Sequence, residues 1–301
     1  MYSKMKYVIT GSLGHISKPV TEALVKAGQD VTVISSSPHR AKDIEALGAK
    51  AQIGSVEDVA FLQKAFAGAD IVYTMTPPSY TARDLKAHLE QIGKNYAAAI
   101  KASHVKYVVN LSSVGAHLPD GVGPVSGLHR GEQALNAVPG INILHLRPSY
   151  YYYNLLSMIP MVKNMGVIGS NFSVGNKKFP VTEQADIAAV AIEALLKHDF
   201  SGINVRYIAS DEINTADIGA VIGKAIGKPD LQWVQFTDEQ TLGGMMQGGL
   251  PEEAARNLVE MGRAIQSGIM FEDYWKHHPD HLEKTRLQDF SKTFAAAYSA
   301  N

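Results

Sequence analysis

From Lys6 to Pro148, short runs of apolar and β-branched residues alternate with longer stretches whose apolar positions recur at helical spacing. That alternation predicts βαβ units around a parallel sheet. Strands are expected at 7–10, 31–34, 49–53, 70–73, 107–111 and 141–146. Ile16, Val20, Ala23, Leu24 and Ala27 share one face of a helix over 16–27 that Gly28 stops, and a second helix over 40–47 ends at Gly48. Ser55 and Asp58 have capping-box spacing and predict a helix starting there and running to Gly68. Further helices are expected at 81–103, after Pro77-Pro78, and at 127–138.

Beyond Arg147-Pro148 the alternation weakens. The division expected is residues 1–153 for the alternating layer and 154–301 for a smaller region, with 181–210 returning to the main sheet through a helix over 186–196 and a strand over 203–208. A helix over 215–226 follows, and the glycine- and methionine-rich stretch 243–249 reads either as a flexible lid or as a loop between helices.

The 301 residues are 46% hydrophobic and 19% charged, enough for a sizeable core. A net charge of -1 and a pI near 6.8 argue against nucleic acid, an anionic membrane or an acidic polymer as the main partner, leaving small molecules or proteins. The chain has no cysteine, which rules out disulfides, thiolate catalysis and thiolate metal sites and agrees with a cytoplasmic setting. No secretory segment is expected, and no membrane-spanning one, since the apolar runs are short and broken by Gly, Pro or charge.

The sharpest chemical feature is the loop Gly11-Ser12-Leu13-Gly14-His15-Ile16-Ser17 between the first strand and the first helix. Free backbone N–H groups and the positive helix end face whatever lies there, which suits a pyrophosphate. Gly11 permits the tight turn, Gly14 a close approach, and Ser17 fills the third small position, where helix and strand must lie close.

This loop, Pro38-x-Arg40, Ala67-Gly68-Ala69-Asp70, Leu111-Ser112-Ser113-Val114, Leu146-Arg147-Pro148 with Asn154, and Glu183-Gln184-Ala185-Asp186-Ile187-Ala188 occur in an order that resembles the NmrA-like branch of the atypical short-chain dehydrogenase/reductase superfamily. The resemblance spans nearly the whole chain. It implies an α/β fold, a Rossmann-like doubly wound parallel sheet with a smaller C-terminal substrate-side region, and NAD(P)(H) as cofactor. It places Gly11, Leu13, Gly14, His15 and Ile16, with Thr76 after the fourth strand, around that cofactor. NADP(H) is favoured over NAD(H), because the second strand ends in Ser35-Ser36-Ser37-Pro38-His39-Arg40 with no acidic side chain to repel a 2′-phosphate. Ser36 and Arg40 are the candidate phosphate ligands, although relatives that bind NADP often carry a basic residue where Ser36 stands; Arg40 also reads as a solvated side chain of a first helical turn.

The superfamily's usual tyrosine acid, with a lysine four residues later, is missing: no lysine occurs between Tyr107 and Val162, and no tyrosine between Tyr107 and Tyr150. Ser112 stands where the superfamily's serine faces the nicotinamide, or it satisfies backbone groups at a strand end. His129 is a candidate proton donor or ribose ligand, or a surface helix histidine. Of the rings in Tyr150-Tyr151-Tyr152-Tyr153, which cannot all face one way, Tyr150 is the candidate pocket residue, with Asn154 as a substrate hydrogen-bonder or a helix cap. Glu132 is expected to pair locally with His129, and Asp186 to cap a helix. His277-His278-Pro279-Asp280-His281 is the densest group of potential metal ligands, but its proline disfavours a helical ligand pair and no metal is expected. Two functions follow: reduction of a small apolar electrophile such as a quinone by hydride from NAD(P)H, or non-catalytic NADP(H) sensing through a protein partner, with homo-oligomers open in either case. A third, isomerase or epimerase chemistry on the same scaffold, lacks an identifiable positioned acid or base.

Overall fold

A computed structural model of the chain describes residues 4–300. Strands β1 (Lys6–Ile9), β2 (Asp30–Ser35), β3 (Lys50–Ile53), β4 (Ile71–Met75), β5 (Tyr107–Leu111) and β6 (Asn142–Pro148) alternate with helices α1 (Ser17–Lys26), α2 (Ala41–Ala46), α3 (Val59–Phe66), α4 (Leu85–Ser103) and α5 (Val125–Asn136). Then come β7 (Tyr150–Tyr151), α6 (Ile159–Met165), β8 (Ile168–Ser170), β9 (Phe179–Thr182), α7 (Gln184–Lys197), β10 (Ile203–Ile208), β11 (Asp211–Ile213), α8 (Thr215–Ala225) and β12 (Trp233–Gln235). Helices α9 (Asp238–Gln247), α10 (Glu252–Ser267), α11 (Glu272–Lys276) and α12 (Leu287–Ala300) close the chain.

Seven strands form one sheet in the order β10-β6-β5-β4-β1-β2-β3, every pair parallel. Because side chains alternate along a strand, Val8, Ile34, Val72, Val108 and Ile143 pack on one face with residues of α3 and α4, while Ile9, Val33, Tyr73 and Val109 pack on the other with residues of α1 and α7. Apolar positions on both faces of every central strand are what a doubly wound, Rossmann-like sheet requires. The strand order reverses between β1 and β4, and the loops leaving those two strands border the crevice that such a reversal opens. A third core, built on Tyr152, Phe172, Phe179, Phe290 and Phe294, holds the later helices and the small sheets β11-β9-β7 and β12-β8.

Several element boundaries depart from the sequence expectation, each for a local reason. Helix α3 starts at Val59, because the Asp58 carboxylate accepts from Phe61 N at 3.0 Å, while the Ser55 hydroxyl accepts from Glu57 N and closes a turn instead. Helix α4 likewise starts at Leu85, after Asp84 caps Ala87 N at 2.9 Å. Residues 243–247 are helical, drawn into α9 by the Thr237–Gln240 capping box, and only Gly248 and Gly249 follow as a turn.

Helices α4 and α5 cross where two glycines meet. A Cβ on Gly93 would lie 2.4 Å from Gly131 Cα, whereas one on Gly131 would lie 3.4 Å from Gly93 Cα. Gly93→Ala is therefore expected to lose about 1–3 kcal/mol in urea unfolding by forcing the helices apart. Gly131→Ala, whose methyl group would meet Gly93 Cα only at ordinary contact distance, should lose less than Gly93→Ala.

Candidate functional site

The glycine loop is built from both ends. Gly11 has φ +87°, and a Cβ there would meet Ser17 Oγ at 2.5 Å and Met75 Cγ at 2.7 Å, so the turn tolerates nothing larger. Ser12 is also left-handed, at φ +54°, held by its N–H to Ile34 O and by its hydroxyl, 2.9 Å from that of buried Ser35. Ser17 donates to Thr10 O at 3.0 Å, which fastens the start of α1 against the end of β1. No side chain caps α1 and no acidic residue occupies its first turn, so its positive end stays uncompensated. Gly14 and His15 are exposed, Gly11 and Leu13 half-buried, and Ile16 is buried. Thr10 takes Met75 N on its hydroxyl at 2.8 Å, fixing the outlet of β4 before Thr76.

At the end of β2, Ser36 and Arg40 are both exposed, and Arg40 stands 3.5 Å from Asp43 as a surface pair. His15 reaches the other way, with its ring 5.3 Å from that of exposed Tyr153. The tyrosine run alternates. Tyr150 packs on Phe172 and Phe179 with the Asn154 side chain beside its hydroxyl, and Tyr152 stacks on Phe290, while Tyr151 joins the core on the α1 side of the sheet. Burial pushes the Tyr150 phenol well above its ordinary pKa, so it acts as a neutral hydrogen-bonder. Asn154 and Tyr150 thus form one polar tip on an aromatic wall.

Under the ends of β4, β5 and β6, on the α4–α5 side, lies a buried polar layer that the periodicity of the chain did not predict. Thr74, Asn110 and His145 are partners in register. The Thr74 hydroxyl donates to Asn110 Oδ1 at 2.8 Å, so the Asn110 amide donates to His145 Nδ1 at 3.0 Å, and His145 Nε2–H donates to Asn136 Oδ1 at 2.8 Å. Burial lowers the His145 pKa, in keeping with this neutral tautomer. One polar residue in each of two otherwise apolar strands was the available signal.

Glu132 does not pair with His129. It sits 1% exposed and accepts both Nε and Nη2 of Arg147, at 3.1 and 2.6 Å. Arg147 also donates to the Tyr207 hydroxyl, which donates in turn to Asp273 at 2.5 Å. Burial works against the Arg147 charge, but Glu132 more than offsets it and holds the guanidinium pKa above its usual value. His129 instead donates Nδ1–H to Ala116 O at 2.8 Å, which leaves Nε2 as its second working atom. Asp186 caps nothing: Glu183 precedes α7, and Asp186 accepts from Ser210 at 2.6 Å and from Thr285 N at 3.0 Å, tying the chain's last segment to the end of β10.

Ser112 is 5% exposed, its N–H is bonded to Leu146 O at 2.8 Å, and its hydroxyl has no partner among the described residues. It borders a cavity of about 10 Å³ shared with Thr76, Tyr96, Asn110, Gly131 and Glu132. Ser112 and Thr76 are therefore brought together, while Ser36 and Arg40 follow β2, three strands away from β5 in the sheet. His277 and His278 turn to different acids, Asp273 and Glu212, and no group among the described residues is arranged to hold a metal ion. No helix among them is long and apolar enough to cross a membrane.

The chain is 25% identical over 301 aligned residues to an NAD(P)H azoreductase of Xenophilus azovorans, covering 97% of this chain and 99% of that protein. Its fold matches an NADPH-dependent quinone oxidoreductase of Escherichia coli solved with NADPH, at a TM-score of 0.80 and 22% identity over 95% of this chain and 99% of that one. The triphenylmethane reductase of Citrobacter sp. solved with NADP(H) superposes at a TM-score of 0.78 and 19% identity, covering 96% and 99%. The model of the NmrA-like family matches residues 3–299, so this chain belongs to the NmrA-like family.

Proposed function

We propose that this protein is an NADPH-dependent reductase of a small, apolar electrophile such as a quinone. The observation that carries this reading is the glycine loop, closed by Ser17 onto Thr10 and opening onto an uncompensated helix end, with Ser112 at the far side of the same crevice. The residues present suit a dinucleotide: a Cβ at Gly11 would fill the turn, and no carboxylate stands at the end of β2 to repel a 2′-phosphate. The azoreductase relative and the reductases of the same fold support the same direction.

In this reading Gly11, Leu13, Gly14, His15 and Ile16 cradle the pyrophosphate, Ser36 and Arg40 take the 2′-phosphate, and Thr76 borders the cofactor beside Ser112. Bound NADPH supplies the hydride. Ser112 donates a hydrogen bond to the substrate oxygen, His129 delivers through Nε2 the one proton that balances the hydride, and Tyr150 with Asn154 sets the substrate plane. Reducing a quinone needs chiefly proximity and orientation, so α5 can lack the tyrosine and lysine of its superfamily.

NADPH oxidation against a panel of quinones, enones and azo dyes tests the reading, with turnover expected on at least one quinone. Arg40→Ala should weaken NADPH binding about tenfold, as loss of one charged hydrogen bond implies, and leave NADH binding unchanged. Tight NADPH binding with no turnover on any acceptor would favour a cofactor sensor instead.

A further inference from the structure

We infer that the cavity behind Ser112 is a built site for one water molecule, which turns the Ser112 hydroxyl toward the substrate and makes Glu132 a positioning residue. The inference rests on the reductase reading only for its last step.

The cavity's volume of about 10 Å³ is the room one water requires, and a buried water needs two to four polar partners. Ser112 supplies one: its hydroxyl is buried and unpartnered, a state that costs about 1–3 kcal/mol unless something bonds to it. Asn110 and Glu132 border the same space.

Once a substrate oxygen takes the Ser112 hydrogen, hydrogen-bond polarity sets the orientation of the water. One Asn110 amide hydrogen goes to His145, and the other is left to donate into the cavity. The Glu132 carboxylate only accepts, and each of its oxygens keeps a lone pair after binding Arg147. A water here accepts from Asn110, donates to Glu132, and has one hydrogen left for a lone pair of Ser112. With a water hydrogen on its lone pair, the Ser112 O–H keeps its own hydrogen for the substrate oxygen in front of it. Arg147 fixes the position of the Glu132 carboxylate by two hydrogen bonds, so the pair acts on the site through the water.

A crystal structure at high resolution and a double-mutant cycle test this. Ordered density is expected within hydrogen-bond distance of Ser112 Oγ and Glu132 in the parent, and none in Gly131→Ala, whose methyl group enters the cavity wall at a site with room for it. Ser112→Ala and Gly131→Ala should each lower kcat at least about tenfold, as loss of one oriented donor does, with the Kd for NADPH unchanged. The double variant should be no slower than Ser112→Ala, because both changes remove the same hydrogen bond. Multiplying effects would overturn the inference, and so would a parent cavity without density, whether or not the protein turns over. A parent that shows the water but reduces nothing defeats the reductase reading and leaves the water site standing.

Discussion

Glu132→Ala is expected to cost about 3–5 kcal/mol in equilibrium urea unfolding, more than either glycine substitution at the α4–α5 crossing, because it strands a charged guanidinium in the interior. Arg147 has a side chain only 8% exposed, and its two strongest contacts are the Glu132 oxygens. Tyr207 and Asp273 remain, but Asp273 is 3.5 Å away and already accepts a hydrogen bond from the Tyr207 hydroxyl. A carboxylate held that weakly does not replace a two-point pair. The double change Glu132→Leu with Arg147→Met should recover most of the loss, because removing both charges also removes their desolvation cost. Equal instability of the single and double variants would show that the pair matters for shape rather than for charge.

Gly11→Ala is expected to raise the Kd for NADPH at least about thirtyfold, roughly 2 kcal/mol, while leaving the circular dichroism spectrum of the sheet and helices intact. Two causes add. An alanine at φ +87° carries backbone strain of about 1–2 kcal/mol, and its methyl group would lie 2.5 Å from Ser17 Oγ and 2.7 Å from Met75 Cγ. Relief requires the loop to open or Ser17 to release Thr10, and either movement turns the N–H groups away from the anion. Fluorescence titration with NADPH is the measurement, and an unchanged Kd would remove this loop from the cofactor site.

Much of the architecture was legible in the chain because it depends on local chemistry. The strands Tyr107–Leu111 and Ile203–Ile208 stand where their apolar runs predict, and Gly28 and Gly48 adopt positive φ where helices were expected to stop. The glycine loop was also legible, since a strand, a tight turn and a helix follow within a dozen residues. Boundaries failed where two caps competed within a few positions, as at Ser55 and Asp58, because both fit the same spacing and only the formed helix chooses between them.

The partners of buried polar groups were not legible. Glu132 is three residues from His129 but fifteen from Arg147, and it bonds the second because α5 lies across β6. Asn110, His145 and Thr74 become neighbours only through strand register, and Ser112 meets its cavity only because Gly93 and Gly131 let α4 and α5 approach closely. The sequence by itself therefore determined the parallel sheet, its two apolar faces and the glycine turn before the first helix, since periodicity and glycine conformation act over a few residues. Only the tertiary structure decided which charges are paired and which polar groups line the cavity beside Ser112, since a buried polar group takes its partner from whatever packing brings within about 3 Å.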